Sequence, residues 1–160
     1  AAMSLLAPLQ PVTSLREGTR AYELRRARDC YDHLAGRLGV ALTEAMVDKG
    51  LLEGDNAVDF ASTPGHRPVG FVQSDGLTLT RAGRDGLSEL GVAVPEADQV
   101  RCCIDWTEQR HHISGAHGRA VLARLIDLGW LRRAPSGRAV RCTDSGRDGL
   151  LSTFGVTLPE

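Results

Sequence analysis

Six polar side chains fall into two short groups: Cys30, Asp32 and His33 in the first half of the chain, and Cys103, Asp105 and His112 in the second. Thiolates and imidazoles are the donors that soft divalent metals prefer, so Cys30, His33, Cys103 and His112 together make the ligand set of a zinc-type site. A thiol beside a basic neighbour is also the arrangement of a thiol sensor. Cys30 and His33 stand three residues apart, which on a helix puts them on one face. If the two groups meet across a pseudo-twofold axis, they converge on one pocket, and Trp106 would line it. The bland alternative has the same residues. Cysteine often packs as a small hydrophobe, Asp105 can cap a helix, and His112 can bond to a neighbouring carbonyl. Cys102, His111 and His117 enrich the second half in the same chemistry.

A second candidate is basic. Arg132, Arg133, Arg138 and Arg141 flank a short turn and could contact phosphates, as the wing of a winged helix does. A solvated surface hairpin is the favoured account of them. The whole chain has 19 Lys and Arg against 20 Asp and Glu, a net charge of −1. That balance argues against strong nucleic-acid binding, which needs a basic surface.

No Gly-rich loop with a following Lys-Ser/Thr appears, nor a Gly-x-Ser-x-Gly elbow. Cys and His have no recognisable third partner. An enzyme is therefore not expected. The chain opens on no secretory signal and holds no apolar run of membrane-spanning length. The expectation is a cytoplasmic protein whose four cysteines are free thiols.

The elements that must position these residues are written twice. Gly83-Arg84-Asp85-Gly86-Leu87 recurs unchanged as Gly146-Arg147-Asp148-Gly149-Leu150, each following a Thr at a helix N-cap position, Thr80 or Thr143. His33-Leu34-Ala35-Gly36 aligns with His112-Ile113-Ser114-Gly115, Gly39 with Gly118, and Gly50 with Gly129. The second half then needs a six-residue insertion after Asp105.

An apolar stripe runs through Leu24, Ala27, Leu34, Leu38, Leu42 and Met46, predicting helices from Ser14 to about Lys49 with a break near Gly36 and Gly39. Short strands are expected at Val58–Phe60, Val69–Val72 and Leu77–Leu79. Ala93–Val100 reads as a connector. Asp105 with Glu108 reads as the start of a helix. Ala120–Leu128 reads as an amphipathic helix, and Trp130–Arg133 with Arg138–Cys142 as a hairpin. The fold class expected is α+β, mainly helical: a tandem of two winged-helix-like repeats, each with helices, a β-hairpin wing and a closing helix. Residues 1–13 read as a linker or the end of an upstream domain, 14–96 as the first repeat, and 97–160 as the second.

Several of these strings resemble one family. Ser14-Leu15-Arg16-Glu17 and Ala27 to Ala41 resemble the region that follows the DNA-binding domain in a subset of ArsR-type bacterial transcriptional regulators. Cys103 to Glu108, His112 to Ala116, Leu128-Gly129-Trp130-Leu131, and Arg138 to Arg141 with Thr143 and Gly146 resemble the closing region of the same subset. The resemblance implies a winged helix-turn-helix DNA reader on the N-terminal side of this chain. The recognition helix and the metal ligands of the better-studied sensors would lie there, and none is carried over. This chain would be the regulatory part of a repressor, a homodimer that binds a small-molecule or metal effector, with Arg16–Arg28 as the connecting helix. A scaffold that dimerises without sensing is the alternative.

Overall fold

A computed structural model describes residues 15–30, 32–54, 74–105, 108 and 110–158. Helix α1 (Leu15–Arg26) is rich in Arg, Glu, Leu and Ala, and Arg25 and Arg26 in its last turn complement the negative end of its dipole. The helical stripe does not continue from there. The chain folds into a hairpin, β1 (Arg28–Cys30) against β2 (His33–Ala35), and only then enters α2 (Gly36–Asp48).

This departs from the expected helix through Cys30 and His33, and the reason is tertiary. The backbone of β1 bonds to the second half: Asp29 N–H donates to the Arg138 carbonyl at 2.9 Å, and Val140 N–H to the Ala27 carbonyl at 3.0 Å. Gly36 makes the strand-to-helix corner with φ of +76°, a conformation that costs other residues energy. Gly115 does the same before α4 with φ of +61°.

The first half continues with β3 (Leu52–Gly54), β4 (Ser74–Leu79) and α3 (Arg81–Glu89). The strands expected at Val58–Phe60 and Val69–Val72 lie outside the described residues. The second half opens with β5 (Gln99–Ile104) and β6 (His111–Ile113), then α4 (Gly115–Asp127), β7 (Leu131–Arg133), β8 (Val140–Cys142) and α5 (Asp144–Phe154). The end of the expected connector is therefore strand, and β5 runs up to the residue before Asp105. Val100 and Cys102 alternate inward along β5, at 1 % and 0 % exposure, and their burial sets the strand. Asp105 caps a turn instead of a helix, accepting from Glu108 N–H at 3.0 Å.

The described residues make an α+β fold of five helices and antiparallel sheets. Strands β3-β4-β5-β6 form one antiparallel sheet, so hairpins of the two halves share a sheet; β1-β2 and β7-β8 stand as separate pairs. Hairpin, helix, hairpin and helix follow one another twice. Thr80 caps α3 by accepting from Gly83 N–H and donates to the Gly50 carbonyl; Thr143 caps α5 by accepting from Gly146 N–H and donates to the Gly129 carbonyl.

One apolar cluster joins both halves: Leu38, Leu42 and Met46 of α2, Val121, Leu122 and Leu125 of α4, and Leu77, Val100, Leu131 and Leu150 from the elements around them. Helix α2 packs on β6, and α4 packs on β2. This crossed packing brings the two opening hairpins together.

Candidate functional site

Cys30 and His33 are directly opposite one another across β1 and β2, and Cys103 and His112 across β5 and β6. The pairing that a helix would have made by spacing is made here by hairpin register. Close backbone approach then seats the hairpins on the helices. A Cβ on Gly39 would stand 3.6 Å from the His112 Cβ and 2.5 Å from the Leu34 carbonyl. One on Gly118 would stand 3.0 Å from the His33 Cβ and 2.7 Å from the Ile113 carbonyl. Each helix thus lies flat against the histidine of the opposite half.

The consequence is a four-residue cluster at the junction. Ligand-type atoms of Cys30, His33, Cys103 and His112 all lie within 4.8 Å of one another. The two imidazoles face each other through their Nε2 atoms, 3.0 Å apart. His33, Cys103 and His112 are buried and Cys30 is half-buried. Cys102 points the other way, into the apolar core, as strand alternation requires of the residue beside Cys103.

Each histidine has a carboxylate behind it. His33 Nδ1 is 3.4 Å from Asp32, whose other oxygen accepts from Arg119 Nε at 2.7 Å. His112 Nδ1 is 3.7 Å from Asp105 and has no hydrogen-bond partner. Asp105 is fully buried, yet its Oδ2 receives Arg28 Nη2 at 2.8 Å and Gly36 N–H at 2.7 Å. Two carboxylates from corresponding places in the halves thus have different settings: Asp32 at the rim, Asp105 inside.

Burial sets the charge states. It lowers the pKa of His33, and it lowers that of His112 to about 4, helped by the neighbouring His33. It raises both thiols, Cys103 to about 11 with Cys30 close by. At neutral pH the cluster holds two neutral rings and two protonated thiols, a poor nucleophile but a concentrated set of soft donors.

Over 147 aligned residues the chain is 35 % identical to YdfF of Bacillus subtilis (strain 168), named as an uncharacterized HTH-type transcriptional regulator. This chain resembles a transcriptional regulator. The alignment covers 89 % of the chain and 57 % of YdfF, so the chain spans little more than half of that relative. No protein-family model and no solved structure matches the chain. No helix among the described residues is long and apolar enough to cross a membrane.

The four arginines of the basic hairpin are exposed, and two of them pair with carboxylates of the first half. Arg133 pairs with Asp29, and Arg141 Nη2 lies 2.9 Å from Glu23 Oε1 on α1. The carbonyl of Arg138 receives β1, while Arg132 is exposed on β7. Two of the four proposed phosphate contacts are therefore engaged with carboxylates of the first half. Trp106, expected to line the pocket, lies outside the described residues. A groove of about 340 Å³ opens elsewhere, between α1 and β8, lined by Tyr22, Glu23, Arg26, Val140, Arg141 and Leu158. Arg28 escaped the sequence reading. Its signal was there: Arg28-x-Cys30 has the spacing of Arg101-x-Cys103.

Proposed function

We propose that this chain is the regulatory part of an ArsR-type transcriptional regulator, combining effector sensing with dimerisation. Two winged-helix-like repeats form it, and a winged helix-turn-helix domain outside the chain reads DNA. The effector is a small molecule or a metal, and the module is not an enzyme. The observation that carries the reading is the Cys30, His33, Cys103 and His112 cluster, buried where the two halves meet. A ligand held there bears on the hairpin that directly follows α1, and through Arg28 and Asp105 on the corner at Gly36. Regulation requires only that the ligand prefer one arrangement of α1 over another. Similarity to a named transcriptional regulator supports the reading.

Gel shifts test it, comparing this chain with the product of the full reading frame on DNA from upstream of its gene. Specific retention is expected for the full product alone. Tight, salt-sensitive, sequence-specific binding by this chain would overturn the division of labour. Sedimentation is expected to give a dimer; a monomer would remove the dimerisation role.

A further inference from the structure

We infer that Cys30, His33, Cys103 and His112 form a closed tetrahedral site for one zinc-type divalent metal, clamping the two halves together. The inference deepens the sensing reading by naming what the junction binds. It rests on the cluster's own geometry.

Three observations converge. The donor set is two thiols and two imidazoles, which suits zinc and excludes hard cations. The spacing is right: zinc at roughly 2.3 Å from sulfur and 2.0 Å from nitrogen separates its ligand atoms by roughly 3.3–3.8 Å. The four atoms here lie within 4.8 Å of one another, and the two Nε2 atoms at 3.0 Å.

The third observation is a proton count. Two neutral imidazoles carry two protons. One is taken by the contact between the Nε2 atoms of His33 and His112, which leaves one for two Nδ1 positions. Each Nδ1 faces a carboxylate, Asp32 or Asp105, so one bare nitrogen always opposes a negative oxygen. Among the described residues His112 Nδ1 is one of two buried side-chain atoms without a hydrogen-bond partner, the other being Ser114 Oγ. A metal on both sulfurs and both Nε2 atoms releases the two thiol protons to solvent, and the proton shared between the rings is replaced by one on the bare Nδ1. Both Nδ1 atoms can then carry hydrogen and donate to their carboxylates, the arrangement that orients metal-bound histidines. The site's four protein ligands leave no open position, which marks it as structural or regulatory rather than catalytic.

The test is metal analysis of the protein purified without chelator, followed by replacement of the metal with Co(II). One metal per chain is expected, with the visible bands of tetrahedral cobalt and a thiolate-to-cobalt charge-transfer band. Cys30→Ser is expected to abolish the charge-transfer intensity of one thiolate and weaken binding. Asp32→Asn, a change at the rim, is expected to weaken it about 10- to 100-fold while leaving the fold intact by circular dichroism. Three results would overturn the inference: no zinc or cobalt bound at micromolar free metal, an octahedral spectrum without thiolate bands, or unchanged binding in Cys30→Ser. A Cys30–Cys103 disulfide in place of metal, seen by mass spectrometry, would overturn it too. If metal binds but does not alter operator binding by the full product, the site stands and the sensing role falls.

Discussion

Arg28 Nη2 lies 2.8 Å from Asp105 Oδ2, and neither side chain has appreciable contact with solvent. The pair ties β1 of the first half to the end of β5 in the second. Removing the cation takes the guanidinium from a buried carboxylate that otherwise accepts from Gly36 N–H and Glu108 N–H. Arg28→Ala is expected to cost about 3–5 kcal/mol, the usual penalty for orphaning a buried charge. Urea denaturation monitored by circular dichroism measures it. A loss under about 1 kcal/mol would mean that water replaces the guanidinium without penalty.

The glycines divide into those that the packing requires and those that it does not. A Cβ on Gly39 meets the Leu34 carbonyl, and one on Gly118 meets the Ile113 carbonyl, both backbone atoms that cannot swing aside. Gly39→Ala and Gly118→Ala should each destabilise by about 1–3 kcal/mol, because each helix must shift away from the strand that directly precedes it. Gly86 is helical with open space at its Cβ position, so Gly86→Ala should stabilise by about 0.5–1 kcal/mol. Opposite signs in thermal melts are the expected signature. Destabilisation by Gly86→Ala would contradict the open space there.

Thr80 and Thr143 each have two roles. The hydroxyl oxygen accepts from the third residue of its helix, and the hydroxyl hydrogen reaches a carbonyl at the end of the preceding helix. Ala at either position should cost about 1–2 kcal/mol, the upper range for a lost cap. Ser keeps both bonds and should recover most of that. Equal losses for Ser and Ala would assign the effect to the methyl group instead of the cap.

Much of this was legible in the sequence because local rules decide it. The Thr caps, the Gly corners at Gly50 and Gly129, and the turn between Arg133 and Arg138 depend on neighbours in the chain. The hairpin at Cys30–His33 was not legible, because its strands are held by Arg138 and Val140, over a hundred residues away. Helical periodicity in Leu24 to Met46 is real but spans a strand pair whose second strand is buried along its whole length. The four cluster residues could be picked out by type and by repeat alignment. Their hairpin register could not, nor could the pairing of Asp105 with Arg28, which read as the end of the connecting helix.

Acid should destabilise the metal-free protein well before its carboxylates titrate. Burial lowers the pKa of His33, His111, His112 and His117, and His112 falls to about 4. In the unfolded chain each titrates at about 6.5. Above that pH both states carry neutral rings, and these groups add no pH dependence. Below it the unfolded chain binds protons that the folded chain refuses, so stability falls with pH. For His112 the fall continues down to about pH 4 and amounts to about 3 kcal/mol, at about 1.4 kcal/mol per pH unit. Denaturation midpoints in excess chelator should therefore drop steadily from about pH 6.5 towards pH 4.5. His112→Gln should flatten that slope even if it lowers stability at neutral pH. A flat profile across this window would show that the buried rings take up protons in the folded state, with Asp105 as counter-charge to His112.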